Sequence, residues 1–368
     1  MFSQTDFSHM ERALALAARG MYTTTPNPRV GCVLVKDGDV IGEGFTQPAG
    51  QDHAEVRALK DARARGHDPR GATAYVTLEP CSHFGRTPPC VHALIDARVA
   101  KVIAAMEDPN PAVSGRGLAI LRDAGIDVRC GLLANEAYEM NIGFVSRMTR
   151  RRPWVRMKVA ATLDGCTGLP TGESQWITGA EARRAVHALR ARHDAVMVGV
   201  GTVLADDPDL TCRIAGMKAV PMVRVVADSR LRTPHLSRLA VTALQHPVWL
   251  LHRADVDLER AQGLDMDGVS LLPVPGGPVG IAVDDGLRAL AAKGITRLLV
   301  EGGARLAASL IRADLVERIV WFHAPAVMGG DGWPAVQEFG LTELAALRRF
   351  KFIETIRYGS DLCSEYER

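Results

Sequence analysis

Residues 78–90 read Leu78-Glu-Pro-Cys-Ser-His-Phe-Gly-Arg-Thr-Pro-Pro-Cys90, and upstream of them stands His53-Ala-Glu55. The histidine opens an apolar-periodic run that reads as a helix over 54–65, and the first cysteine follows a short apolar run that reads as a strand over 74–78. One imidazole and two thiolates, from His53, Cys81 and Cys90, make a three-ligand zinc site. Structural zinc is usually closed by four protein ligands, whereas catalytic zinc keeps one position for water. Three ligands with the carboxylate of Glu55 two residues from the histidine therefore point to chemistry. Water acidified by the metal supplies hydroxide near neutral pH, and Glu55 carries its proton to a departing amine. The implied reaction is hydrolytic deamination of an amidine-like ring carbon. A zinc site that only stabilised a scaffold would leave Glu55 without a role.

Outward from this stretch, strands and helices alternate. A helix is predicted over 9–19, broken by the prolines of Thr23-Thr-Thr-Pro-Asn-Pro28. Strands at 30–35 and 40–44 flank Asp37-Gly38, a strong hairpin signal. A helix over 90–97, a strand over 101–105 and a helix over 117–124 complete an α/β layer with a largely parallel sheet. Residues 143–153 turn basic, with Arg147, Arg150, Arg151 and Arg152, and read as a solvated linker with a domain boundary near Thr149. Beyond it strands (155–161, 195–200, 223–227, 247–251, 297–300, 315–322) alternate with helices (180–192, 283–293, 305–311), a second α/β domain. A length of 368 residues suits two domains at about 150 residues each.

Composition excludes several classes. Hydrophobic residues at 47% and charged residues at 23% are ordinary for a globular chain. Forty-four basic against 42 acidic side chains leave a net charge of +2, too small a field to recruit nucleic acid by itself. The N-terminal stretch carries Asp6, His9, Glu11 and Arg12 and lacks a secretory core. No apolar run reaches the roughly 18 residues of a membrane helix. With seven cysteines, an odd number, reduced thiols and a cytoplasmic location are expected. Cys32, Cys130, Cys166, Cys212 and Cys363 read as packing residues.

The order His-x-Glu, Pro-Cys, Cys is that of the zinc deaminases, in which the glutamate is not a ligand. Here eight residues, 82–89, separate the cysteines rather than two, so Cys90 arrives from an inserted loop. That loop, with Pro26-Asn-Pro-Arg-Val-Gly31 and Ala49-Gly-Gln-Asp-His-Ala-Glu55, resembles the deaminase domain of bacterial bifunctional riboflavin biosynthesis proteins. The resemblance implies a cytidine-deaminase-like three-layer α/β domain over 1–148. It puts Asn27 against the pyrimidine and His83 and Arg86 where the substrate phosphate is held, a task that suits an arginine fork. Thr25 and Thr46 stand where such proteins commonly have histidine.

In the second half Met157-Lys-Val-Ala-Ala-Thr-Leu-Asp-Gly165, Gly172-Glu-Ser-Gln-Trp-Ile-Thr178, Val200-Gly-Thr-Val-Leu-Ala-Asp-Asp-Pro208 and Val300-Glu-Gly-Gly-Ala304 resemble the reductase domain of the same proteins. This implies a dihydrofolate-reductase-like fold over 149–368. A Rossmann reading of Gly199-Val-Gly201 fails, because the third glycine would fall on Leu204. The strand, Gly302-Gly303 turn and helix start offer free N–H groups to a phosphate. By resemblance, NADPH is held by Ala160, Trp176, Thr202, Asp206, Ser229 and the run Gly303, Ala304, Arg305, Leu306, Ala307, Ala308 and Ser309. Substrate falls to Ser174, Arg190, Leu210, Arg213 and Glu301, with Lys158 close to the reacting sugar. Two arginines can clamp a ribose phosphate. Cys166 follows Asp164-Gly165 where relatives often carry a basic residue.

The resemblance thus implies a bifunctional enzyme using Zn2+ and NADPH on a phosphorylated pyrimidine. It implies no nucleic-acid or membrane partner, and assembly as a dimer or tetramer. The alternative, a tRNA-type nucleic-acid deaminase with an accessory domain, would need stacking aromatics and a basic surface; aromatics are only 5%.

Overall fold

In the computed structural model, which describes residues 1–84, 88–111, 113–217, 220–338 and 340–368, Asp37 and Gly38 both adopt positive φ, 52° and 90°. That is the left-handed pair a tight hairpin needs. It joins β1 (Gly31–Lys36) to β2 (Asp39–Phe45) in antiparallel register, Lys36 opposite Asp39. The chain divides into two compact units, Met1–Arg151 and Arg152–Arg368.

In the first unit α1 (Gln4–Arg19) precedes the hairpin, and α2 (Ala54–Ala64), β3 (Thr73–Val76), α3 (Cys90–Asp96), β4 (Lys101–Ala104), α4 (Arg116–Asp123), β5 (Asp127–Cys130) and α5 (Ala134–Arg150) follow. The sheet runs β2-β1-β3-β4-β5, with β3, β4 and β5 parallel. Alternation along the strands decides what each face covers. Cys32, Leu34, Val76 and Val102 pack with Ala58 and Leu59 of α2, Leu94 of α3 and Leu121 of α4. Val33, Val35, Tyr75 and Ile103 pack with Met10 and Ala13 of α1 and Ala137 of α5. The result is helix, sheet, helix in three layers.

Two elements differ from expectation. α1 begins five residues early, because Ser3 and Asp6 form a capping box around a polar first turn that carries no apolar period. The basic segment read as a linker is helical through Arg150, with Gly143, Val145 and Ser146 buried. Arg147 and Arg150 lie in its last turn, where cations complement the helix dipole. Arg152 is buried and paired with Glu317 at 2.5 Å.

The second unit holds β6 (Trp154–Ala161), α6 (Ala180–Ala191), β7 (Ala195–Gly199), α7 (Val200–Asp206), β8 (Val223–Ala227), α8 (Arg238–Val241) and β9 (Val248–Arg253). Then come β10 (Val269–Val274), the short pair β11 (Gly276–Gly277) and β12 (Gly280–Ile281), α9 (Val283–Ala292), β13 (Arg297–Glu301), α10 (Ala304–Arg312), β14 (Arg318–His323), β15 (Lys351–Tyr358) and β16 (Asp361–Glu367). Nine strands are ordered β10-β9-β8-β7-β13-β6-β14-β16-β15. The first seven in that order are mutually parallel, and β16 and β15 close the edge antiparallel. Residues 195 and 197 of β7 face one core and 196 and 198 the other, so both sheet faces are covered. Among the described residues no helix is long and apolar enough to cross a membrane.

In the first unit, α2 lies so close to β2 that a Cβ on Gly44 would stand 2.3 Å from the carbonyl oxygen of Ala54, and one on Gly42 would stand 2.4 Å from that of Ala58. This contact sets the start of α2, where His53 and Glu55 stand. Gly44→Ala should therefore destabilise the protein by about 1–3 kcal/mol, read as a lower urea midpoint, and weaken zinc retention. An unchanged midpoint would show that α2 can shift away without penalty.

Candidate active sites

His53 is the N-cap residue of α2, but its ring makes no capping bond, so the imidazole is left for another partner. Its Nδ1 stands 3.5 Å from Cys81 Sγ and 3.3 Å from Cys90 Sγ. The N–H of Cys90, at the start of α3, points at Cys81 Sγ, 3.3 Å away. Among the described residues this is the one group of three or more His, Cys, Asp or Glu donors placed to share an ion. With Zn–S of about 2.3 Å and Zn–N of about 2.0 Å, tetrahedral zinc separates a nitrogen from a sulfur ligand by about 3.5 Å. The donor set and its spacing fit that metal.

Glu55, in the first turn of α2, is 3% exposed. Burial, and next the Cys81 thiolate, push its carboxyl up to about 7, and it hydrogen-bonds Cys90. A carboxyl titrating near neutrality can both take and return a proton. Hydrogen bonds from Cys90 and His53 hold the Cys81 thiol down, toward the thiolate that metals bind.

The support around this cluster was not read from sequence. Glu79, buried in the loop after β3, accepts N–H bonds from Asp108, Gly115, Gly117 and Leu118 at 2.9, 2.9, 2.7 and 3.4 Å. It thereby ties the Pro80-Cys81 turn to the start of α4, whose Gly117 has no room for a Cβ against Pro80 O. Asp108 is buried too, and burial pushes it up to about 6; His83 lies near enough to pull it back down. The half-buried Asn27 donates its N–H to Thr24 O. Its turn is locked from behind, where Asn141 of α5 accepts from Arg29 N at 2.7 Å and donates to Arg29 O at 2.9 Å. Thr46 is buried against Val30, accepting its N–H and donating to its carbonyl, so it braces the backbone. Arg86 lies outside the described residues.

In the second unit a cavity of about 530 Å³ opens along the carboxyl ends of β6, β7 and β13. In open α/β sheets ligands bind at that edge. Of the substrate set, Lys158, Ser174, Arg190, Leu210, Arg213 and Glu301 all line it. Of the cofactor set, Ala160, Trp176, Thr202, Asp206, Gly303, Ala304 and Ala307 do. Ser229, Arg305, Leu306, Ala308 and Ser309 do not: Leu306 and Ala308 are buried in the core, and Ser309 Oγ bonds back to Arg305 O. Gly302 and Gly303 have φ of 77° and 91°, the backbone reversal that starts α10 at the cavity wall.

The cavity's centre is an ion pair. Arg190 of α6 grips Glu301 through Nε to Oε1 at 2.6 Å and Nη2 to Oε2 at 2.9 Å, and its Nη1 donates to Thr211 O at 3.0 Å. Glu301 is the parallel-sheet neighbour of Lys158. Burial works to raise the Glu301 carboxyl, but Arg190 outweighs it and the group stays ionised. Burial lowers Lys158, and Glu301 partly opposes that. Arg190, expected to hold a phosphate, thus has half its fork on a protein carboxylate. Ser174 Oγ donates to Asp206 Oδ1 at 3.0 Å. Trp176 is 65% exposed, so it is no core residue, and Arg183 covers its ring at 4.5 Å. The fully buried Arg224 donates to the carbonyls of Asp209, Leu239 and His246, which holds the loop carrying Asp209 and Leu210.

With both sites in place, the comparisons with known proteins give the class. Residues 3–106 match the cytidine and deoxycytidylate deaminase zinc-binding region, and residues 153–364 match the RibD C-terminal domain. The protein is an enzyme that joins a deaminase to a reductase in one chain. It is 43% identical to riboflavin biosynthesis protein RibD of Escherichia coli K12 over 97% of this chain and 98% of that one. The structure of Acinetobacter baumannii RibD is 39% identical, with a TM-score of 0.87 and 99% of both chains covered. A Thermotoga maritima diaminohydroxyphosphoribosylaminopyrimidine deaminase/5-amino-6-(5-phosphoribosylamino)uracil reductase is 34% identical, with a TM-score of 0.86 over 99% of this chain and 98% of that one. The chain belongs to the RibD family of bifunctional riboflavin biosynthesis proteins. The N-terminal unit is cytidine-deaminase-like and the C-terminal unit dihydrofolate-reductase-like, as expected, and the nucleic-acid deaminase reading is not favoured.

Two substitutions test this geometry. Glu79→Gln swaps a charged acceptor for an amide whose NH2 must face donors, and should cost about 2–3 kcal/mol and lower zinc affinity, checked by urea unfolding and equilibrium dialysis. Glu301→Ala leaves the Arg190 charge buried without its partner, at a cost of about 3–5 kcal/mol. A melting temperature unchanged by that substitution would mean that water reaches Arg190 freely.

Proposed function

We propose that the first unit hydrolytically deaminates 2,5-diamino-6-(5-phosphoribosylamino)pyrimidin-4-one and that the second reduces the ribosyl group of the product to ribityl with NADPH. The observation that carries this reading is the His53, Cys81, Cys90 cluster with the buried carboxyl of Glu55 beside it.

In the first unit His53, Cys81 and Cys90 hold zinc, which supplies a nucleophile by lowering the pKa of water. Glu55 takes the proton of the attacking water and hands it to the amino group that leaves as ammonia. Asn27 orients the pyrimidine, and His83 with Arg86 receives the phosphate. In the second unit NADPH, when bound, would supply hydride to the ring-opened sugar, and the protein's task is to orient the two. Ser174, Leu210, Arg213 and Glu301 hold the substrate with Arg190, and Lys158 stands at the reacting sugar. Ala160, Trp176, Thr202, Asp206, Gly303, Ala304 and Ala307, the members of the expected set that line the cavity, hold the cofactor. The cations on the wall of the cavity support a phosphorylated ligand. A dimer or tetramer belongs to the same reading, supported by the exposed Phe352, Ile353 and Ile356 on edge strand β15. So does a cytoplasmic location, supported by seven free cysteines.

Glu55→Gln tests it. Deamination should fall by about 10²-fold or more while bound zinc and the NADPH-dependent reduction of already deaminated substrate stay at wild-type level. Loss of metal in this variant would make Glu55 a ligand rather than a proton carrier, and retained deamination would remove it from the chemistry.

A further inference from the structure

We propose that His187 is a positioning residue of the reductase cavity, its neutral imidazole holding Arg213 with the guanidinium turned to the ligand. The inference rests on the reading of Arg213 as a residue that holds the substrate's phosphate.

Arg183, His187 and Arg190 fall four and three residues apart on α6 and so share one face of the helix, and all three line the cavity. The segment 211–213 is strapped across that face. Thr211 O accepts from Arg190 Nη1 at 3.0 Å and lies 3.1 Å from His187 Nδ1, and Cys212 Sγ donates to His187 O at 3.3 Å. Arg213 is the next residue, and packing does little for it. Its side chain is 61% exposed, with Asp209 Oδ2 3.6 Å from Nη1. Its Nε–H points at His187 Nε2, 3.4 Å away, and its backbone N lies 3.3 Å from His187 Nδ1.

These contacts select one tautomer. With the proton on Nδ1, the ring donates to Thr211 O and offers the Nε2 lone pair to Arg213 Nε–H. With the proton on Nε2, Nδ1 accepts the Arg213 backbone N–H at 3.3 Å, but its lone pair faces the Thr211 carbonyl at the shortest of the three distances and Nε2–H is set against Arg213 Nε–H. The first arrangement satisfies the nearer and more polar partners. The doubly protonated ring would set an N–H against Arg213 Nε and a third positive charge between Arg190 and Arg213. Burial and then those two arginines accordingly lower the pKa of His187, which favours the neutral ring. With Nε bound to His187, the two terminal nitrogens of Arg213 can turn to an anion once Nη1 gives up Asp209 Oδ2 at 3.6 Å, the geometry in which guanidinium grips phosphate.

The test uses the full-length protein, NADPH and the deaminated, phosphorylated substrate. R213A should raise KM for the substrate about 10- to 100-fold, as loss of a charged hydrogen-bonding partner does. His187→Leu keeps the ring's bulk but no acceptor, and should raise KM about 3- to 10-fold with kcat and KM for NADPH within about twofold. His187→Gln, whose amide oxygen can take the same N–H, should recover most of that loss. In the double variant the His187→Leu effect should vanish, because there is no Arg213 left to orient. If R213A raises KM and His187→Leu does not, or the two losses multiply, His187 does not act through Arg213 and the proposal falls while the role of Arg213 stands. An R213A variant with unchanged KM overturns the role of Arg213 and the proposal together. Should His187→Leu fold poorly, His187→Gln and His187→Ala give the same contrast, and equal KM values in those two would also overturn it.

Discussion

A carboxylate taken out of water must find donors for its lone pairs or give up its charge, and in each unit one such carboxylate fixes the site. In the first, four backbone N–H groups from the 108–118 stretch converge on Glu79. The residue is two positions from Cys81, so whatever holds Glu79 holds a metal donor. In the second, Arg190 closes on Glu301 with two parallel bonds and thereby docks α6 to the end of β13. Remove either carboxylate and the partners left behind are buried donors without acceptors, which costs more than the bond itself is worth. In the first unit the metal donors are thus positioned by a group outside the donor set, whereas in the second the pair is itself part of the cavity wall.

The metal cluster was legible in the sequence because its chemistry needs residue types that are rare together and an order that secondary structure enforces. His53 had to open a helix and Cys81 had to follow a strand, and both do. The hairpin was legible for a similar reason, since Asp37-Gly38 is a local conformational signal. Long-range contacts leave no such mark. Nothing near Glu79 announces that residues 29 to 39 positions away will donate to it, and nothing near Glu301 announces Arg190. The linker reading of 143–153 failed because a run of arginines has one composition whether it is solvated or caps a helix C-terminus. The C-terminal hairpin went unread because β15 is exposed along both faces and shows no period of two. In the second site the cavity-lining residues were separated from their neighbours only by the structure. Along α10 the side chains rotate by about 100° per residue, so a contiguous run of seven cannot all face one ligand.

The lock between Arg29 and Asn141 also orders events in time. The turn that carries Asn27 lies near the beginning of the chain, yet the amide that closes both backbone bonds of Arg29 belongs to the last helix of the unit. During synthesis, at roughly 5–20 residues per second, the hairpin, α2 and all three metal donors are made before that helix exists. A nascent chain can thus collect its metal donors while the turn that carries Asn27 still lacks its brace. That turn is locked only after Asn141 has left the ribosome, so the last helix of the unit acts as a latch on its first thirty residues.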